Sequence, residues 1–206
     1  MRVVVVTGGL GSGKSTAAKR FADKGAVVVD LDRVALDLMT PDSMLLARVA
    51  EAFGPDDVLL ADGRLDRSGL ARVAFSSPER TRQLDGIVHP AVERHLERIL
   101  DELRGCAEPP DIAVVEIPLL AEAPQLVRFA DVVLAIVAPE AIRVERARAR
   151  GMAREDAERR IRIQAPDATR AELADVVIVN SESLSQFEAQ LDAFWKDLAE
   201  ASGGER

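Results

Sequence analysis

The chain has 206 residues, 48% of them hydrophobic, enough to build a core and too many for a disordered chain. Asp and Glu outnumber Lys and Arg by 35 to 27, a formal charge of -8. That balance argues against nucleic acid as a partner but leaves phosphorylated small molecules open to a local basic patch. The single Cys106 excludes an intrachain disulfide and any cysteine-cluster metal site, and it suits a reducing compartment such as the cytoplasm. With no run of 18 apolar residues and no signal-peptide pattern, neither a membrane span nor a leader is expected.

In chain order, Val3 to Val6 is a β-branched run cut by glycines, the pattern of a strand buried on both faces in a parallel sheet. Lys14 to Lys24 has helical spacing and stops at Gly25. Val27 to Val29 forms a second strand, closed by Asp30-Leu31-Asp32, which completes a βαβ unit. Residues 33–110 contain no convincing buried strand and read as a helical insertion. In it, Leu45 to Ala50 lies on a helix ending near Phe53, Asp62-Gly63 marks a turn, and Leu70 to Phe75 is a short helical piece. Pro78 to Arg104 is long and helical, and Pro90 is expected to start or kink a segment at His89. Strands follow at Ile112 to Ile117, Val132 to Ala138 and Val176 to Val179. Helices are expected at Ile142 to Ala149, at Arg154 to Ile163 and around Phe187 to Leu198. The expected class is α/β, a five-stranded parallel sheet flanked by helices, and no internal repeat is evident.

Gly8-Gly9-Leu10-Gly11-Ser12-Gly13-Lys14-Ser15 matches the phosphate-loop pattern G-x-x-x-x-G-K-[ST] without a mismatch, between a predicted strand and a predicted helix. The glycines let successive backbone N–H groups turn inward around a phosphate, and the helix start adds its unpaired amides. Gly9, Leu10, Gly11, Ser12 and Gly13 form the loop proper. Lys14 reaches the β- and γ-phosphates, the Ser15 hydroxyl joins a Mg²⁺ shell, and Thr16 supports the helix start. A glycine turn that merely caps a helix is the bland alternative.

Asp30 and Asp32 follow the second strand, at the sheet edge where ligands bind. One carboxylate there can orient Mg²⁺ through water and the other can accept a proton from an attacking hydroxyl, with Asp32 the choice for the base. The competing use is capping the segment that starts at Arg33. Glu116 closes the third strand and has two open readings, one as a partner of Mg²⁺ or of a basic residue, the other as a strand-end surface residue. Residues 142–170 contain nine arginines against five acidic residues. Arg143, Arg146 and Arg150 share a helical face, whereas Arg148 points elsewhere. Such a stretch is either an arginine-bearing lid for a phosphorylated ligand or a solvated helix laced with pairs such as Arg154 with Glu158.

These residues resemble the dephospho-CoA kinase family from Val3 to about Trp195. The resemblance rests on the phosphate loop and on Val29-Asp30-Leu31-Asp32, Asp62-Gly63-Arg64-Leu65-Asp66-Arg67 and Ile87-Val88-His89-Pro90. It continues through Ile117-Pro118-Leu119-Leu120-Ala121-Glu122, Arg146 with Arg150, Arg160 to Gln164, Arg170, Ala174-Asp175 and Asn180-Ser181. It implies a P-loop NTPase fold with a helical substrate-binding insertion and an arginine-rich lid, and transfer of the γ-phosphate of ATP to the ribose 3′-hydroxyl of dephospho-CoA, with Mg²⁺. It further implies a single kinase domain, with a nucleotide core at 1–32, 111–141 and 168–200, a CoA region at 33–110 and a lid at 142–167. Asp32 matches the family's proposed base, Lys14 and Ser15 its ATP and Mg²⁺ residues, and Arg146 and Arg150 its lid arginines. Asn180 falls near the family's adenine. Arg33, His89, Pro118 and Leu119 fall toward the acceptor, although His89 reads equally as a cap before Pro90. The family often has Asp-Ala-Asp at the second strand and an arginine four positions later, where this chain has Leu31 and Leu36, with Arg33 one turn earlier as a substitute. No nucleic-acid or membrane partner is implied, and a monomer is favoured. A nucleoside or nucleotide kinase and a nucleotide-dependent switch are the rival readings, the latter disfavoured because no Asn-Lys-x-Asp guanine motif occurs.

Overall fold

The computed structural model describes residues 1–118 and 120–203. Two compact units emerge, one built from Met1–Asp30 and Glu102–Arg206, the other from Leu31–Asp101.

The first unit is organised around a parallel sheet. Its strands are β1 (Arg2–Thr7), β2 (Val27–Asp30), β3 (Ile112–Glu116), β4 (Val132–Val137) and β5 (Val176–Val179), in the order β2-β3-β1-β4-β5. Every pairing is parallel, which requires crossovers and explains why helices alternate with strands along the chain. β1 is central and Val3 to Val6 are fully buried, as a strand covered on both faces must be. The two edges are short, and on β5 Val177 and Val179 stay exposed.

One face is covered by α1 (Lys14–Ala22) and α10 (Leu184–Gly203). Phe21, Phe187, Leu191, Phe194 and Leu198 pack there on Val4, Val6, Val114, Leu134 and Ile136. Phe21 stacks on Trp195 with centroids 5.7 Å apart and meets Phe194 at 5.8 Å. Each such side chain, fully buried, contributes roughly 1.5–3 kcal/mol.

Register is pinned by the same device twice. The Asp131 N–H donates to the Val3 carbonyl while the Asp131 carboxylate accepts from the Val3 N–H at 2.7 Å. Asp175 does the same with Val133, at 2.8 Å. Both sit in an Ala-Asp-Val-Val tetrapeptide, 130–133 and 174–177, so a short sequence recurrence does exist and has a mechanical role.

The remaining helices of the first unit are α7 (Glu140–Ala149), α8 (Arg154–Ile163) and α9 (Asp167–Glu172), with a 3-10 turn at Pro124–Phe129. Val144 and Ala147 of α7 pack on Ala157 and Ile161 of α8, closing a helical hairpin.

The second unit is helical, in agreement with the lack of buried strands in its sequence. It contains α2 (Leu31–Asp37), α3 (Met44–Phe53), α4 (Pro55–Val58), α5 (Arg67–Ala74) and most of α6 (Pro78–Gly105). Leu45, Leu46, Val49, Phe53, Val58 and Leu70 form its core. Ser43 caps α3 by accepting from the Leu46 N–H, and Asp66 caps α5 through Ser68. Pro90 does not start a new helix, because α6 runs through it. Proline removes one donor and crowds the carbonyl four residues back, and that residue is Gly86, which has no side chain to add to the crowding.

Candidate active site

The phosphate loop joins β1 to α1 at the carboxyl end of the central strand, between neighbours β3 and β4. This is the switch point where open parallel sheets hold their ligands. Gly13 sits at the N-cap of α1 with φ +111° and offers no side chain to the helix amides, which remain directed at the loop. A Cβ at Gly13 would lie 2.4 Å from Asn180 Nδ2, so both backbone conformation and space demand glycine. Ser12 N–H turns back to Gly9 O, and Lys14 Nζ donates to the same carbonyl at 3.2 Å, arching over the loop. The Ser12 hydroxyl is fully buried with no hydrogen-bond partner among the described residues, an orphaned polar group within the cradle. Leu10 is half-buried, and Thr16 is exposed in the first turn of α1.

Register settles Glu116. Val6, Glu116 and Asp30 occupy matched positions on β1, β3 and β2. Matched side chains leave a parallel sheet on one face. Val6 packs on the α1 face, so Glu116 is directed there too, and the Ser15 hydroxyl donates to its Oε1 at 2.9 Å. Glu116 is 7% exposed, which removes the reading of a surface residue. A hydroxyl and carboxylates at neighbouring strand ends are hard oxygen donors. That set suits Mg²⁺, which keeps several waters and takes phosphate oxygens instead of an all-protein cage. Among the described residues no group of three or more acidic, histidine or cysteine side chains gathers as a self-sufficient metal site.

Asn180 follows β5 and is 4% exposed. Its Nδ2 donates to Ser12 O at 2.8 Å and its Oδ1 accepts from Arg146 Nη2 at 3.0 Å. The side chain that the resemblance associates with adenine is thus a strut under the loop. Arg146 also donates to Asn180 O at 3.2 Å, which fixes it beside the nucleotide loop. Burial lowers the proton affinity of its guanidinium and Arg150 lowers it further, yet an arginine stays charged. Arg150 is exposed at the end of α7, with Nε on Arg146 O at 3.2 Å. Arg148 pairs with Glu145 on the surface, and Arg154 bonds Glu158 as its spacing suggests.

Asp32, Arg33 and His89 belong to the second unit. Asp32 is exposed in the first turn of α2. Arg33, also exposed, donates to Asp37 one turn on, at 2.9 Å. His89 lies inside the unbroken α6 with Nε2 3.5 Å from Asp85, so the reading of a cap before Pro90 is overturned. Pro118 is half-buried just beyond β3, and Leu119 lies outside the described residues. Two residues bond the loop at Leu10 in a way the sequence did not show: Arg143, placed there only on the arginine face with Arg146 and Arg150, and Gln164. Helical spacing gave the face of Arg143 but not its partner Leu10, and Gln164 was visible only as part of the resemblance.

The fold and loop have close counterparts. A family profile described as dephospho-CoA kinase matches residues 2–186. The chain is 42% identical over 199 residues to dephospho-CoA kinase of Leifsonia xyli, covering 96% of this chain and 99% of that one. Against the enzyme of Corynebacterium jeikeium it is 40% identical over 199 residues, 96% and 100% of the two chains. A crystal structure of a Thermus thermophilus protein, 36% identical, superposes with a TM-score of 0.77 over 96% of this chain and 97% of that one. Shikimate kinase from Acinetobacter baumannii, at 14% identity, TM-score 0.53 and coverage of 100% and 96%, shares the fold alone. Relatives matched almost end to end, together with a phosphate loop seated at the switch point of the sheet, show that this chain belongs to the dephospho-CoA kinase family of P-loop phosphotransferases.

Proposed function

We propose that the protein transfers the γ-phosphoryl group of ATP to the ribose 3′-hydroxyl of dephospho-CoA, giving coenzyme A and ADP. The observation that carries the phosphoryl chemistry is the Ser15 hydroxyl on Glu116, 2.9 Å apart, directly after an uncapped phosphate loop. Family membership supports the acceptor.

The loop from Gly9 to Gly13 and the first amides of α1 bind the phosphates. Lys14 exchanges its bond to Gly9 O for the β- and γ-oxygens. Ser15 would hold Mg²⁺, with Glu116 and Asp30 as carboxylates at the neighbouring strand ends to support it. When bound there, the ion would supply divalent charge to offset that of the phosphates. Arg146 and Arg150 supply positive charge where negative charge spreads over the transferring group. Asp32 accepts the proton of the attacking hydroxyl, and Arg33, His89, Pro118 and Leu119 contribute to the acceptor side.

Purified protein with Mg-ATP is to be offered dephospho-CoA, adenosine, a nucleoside monophosphate and shikimate. Coenzyme A and ADP are the expected products, from the first acceptor alone. Asp32→Asn is expected to lower turnover about 10²- to 10⁴-fold while ATP binding persists. Turnover of another acceptor in preference, or phosphorylation away from the 3′ position, overturns the assignment.

A further inference from the structure

Leu10 is held from three sides. Its N–H donates to Gln164 Oε1 at 2.9 Å, and its carbonyl accepts from Arg143 Nε at 2.9 Å. Its side chain packs against the apolar cluster of the α7–α8 hairpin, with Val144, Ala147, Ala157 and Ile161. The two polar partners are themselves joined, since Arg143 Nη2 donates to Gln164 Oε1 at 3.3 Å. Two donors converge on that one atom, which identifies it as the amide oxygen. Arg143 Nη1 reaches Asp167 at 3.2 Å, and Asp167 accepts from Arg170 at 3.1 Å. Arg143 and Arg170 are 5% and 0% exposed, so this chain of bonds is a buried strut, not a surface pair.

The glycines of the loop are cut to fit it. A Cβ at Gly9 would lie 2.0 Å from Arg143 Nη2 and 2.6 Å from its Cζ, and the three atoms it would meet first all belong to Arg143. A Cβ at Gly11 would lie 2.5 Å from the Arg143 carbonyl oxygen. Glycine at position 9 is therefore a consequence of the guanidinium beside it.

We propose that Arg143 and Gln164 are positioning residues that clamp both backbone groups of Leu10 and so hold the phosphate loop in its nucleotide-binding shape, fastened to both ends of the α7–α8 hairpin. The inference rests on the reading of the loop as the ATP site. Each of the two residues acts by keeping the arm Gly9–Leu10 in place, which leaves the amides from Ser12 to Ser15 aimed at the ligand. Without the clamp the loop samples other shapes, and affinity falls in proportion to the fraction that remains competent.

The test measures binding of Mg-ATP and Mg-ADP by calorimetry and steady-state turnover with dephospho-CoA. Arg143→Ala is expected to weaken Mg-ATP binding roughly tenfold, as when the competent fraction falls to about a tenth. It is expected to leave kcat at saturation within about threefold and KM for dephospho-CoA unchanged, because the reacting groups are intact. A merely structural loss lowers the active fraction, and hence kcat, without moving KM for ATP. Gln164→Glu keeps the accepting oxygen and is expected to bind ATP better than Gln164→Ala, and this pair serves if Arg143→Ala does not fold. The sharpest measurement is the double-mutant cycle with Gly9→Ala. Gly9→Ala is expected to weaken ATP binding in the wild-type background and to cost little beside Arg143→Ala. Equal costs in both backgrounds, or wild-type ATP affinity in Arg143→Ala and Gln164→Ala, overturn the clamp alone. A wild-type chain that binds no Mg-ATP overturns the reading of the loop and the clamp with it.

Discussion

Glu116 shows how one buried carboxylate acquires a role. In an apolar strand it is expensive unless partnered, and the Ser15 hydroxyl is one of its partners. Glu116→Gln retains an oxygen for Ser15 and removes the charge. The half-saturating Mg²⁺ concentration is expected to rise roughly 10- to 100-fold, the usual size for an outer-shell ligand, with the thermal midpoint little changed. An unchanged Mg²⁺ requirement beside a lowered midpoint would make Glu116 a packing residue. The loop could be read from the sequence because its chemistry is local, eight residues with a strand before and a helix after. Glu116 could not, because its direction depends on the register Val6 to Glu116 to Asp30, which joins three distant segments. For Asn180, which the resemblance associates with adenine, only the fold shows its amide serving Ser12 and Arg146.

At the scale of elements, α7 presents different arginines to different tasks. Arg143 and Arg146 face the loop and Asn180, while Arg148 pairs with Glu145 in solvent. Arg146→Ala is expected to lower turnover about tenfold or more at saturating substrates, because it removes a positioned cation, and Arg148→Ala less than twofold. Equal losses would reduce the helix to a diffuse positive field. Both ends of the hairpin segment are tied to the loop, at Arg143 and at Gln164. α6 gives a second test at this scale. Proline normally starts or kinks a helix, as was expected at Pro90, yet α6 continues through it, with Val92, Leu96 and Leu100 buried beyond it. Pro90→Ala restores an N–H opposite Gly86 O and is expected to stabilise the protein by about 1–3 kcal/mol in urea unfolding. A loss of stability would mean that the helix depends on the proline's geometry.

For the molecule as a whole, the class and the five strands followed from apolar runs punctuated by glycine and proline. The strand order did not, because it depends on which crossover lands on which side of β1. The twin Ala-Asp-Val-Val segments were on the page as residues, but their function exists only once Asp131 faces Val3 and Asp175 faces Val133. The far end of the chain is fastened to the same sheet by α10. There Asp192 receives Arg20 Nη2 at 2.7 Å and Lys24 at 2.9 Å, both at the end of the nucleotide-loop helix. The hydrogen bonds from Arg20 and Lys24 hold the Asp192 carboxyl well below the usual carboxylate range. A depressed carboxylate pKa gives stability that is present above the unfolded value, about 3.9, and is lost as pH falls from there toward the folded value. The clasp is only half-buried, so its contribution is modest and screened by salt. Asp192→Asn is accordingly expected to lower the thermal midpoint by a constant small amount from about pH 8 to pH 5 at low salt. The gap from the wild type is expected to narrow below about pH 4, as the unfolded chain takes up its proton before the native one does. Thermal unfolding of both proteins across that range, at low and high salt, decides the matter. A gap that widens on acidification would reverse the sign of the linkage. A gap indifferent to both pH and salt would reduce Asp192 to a packing residue of α10.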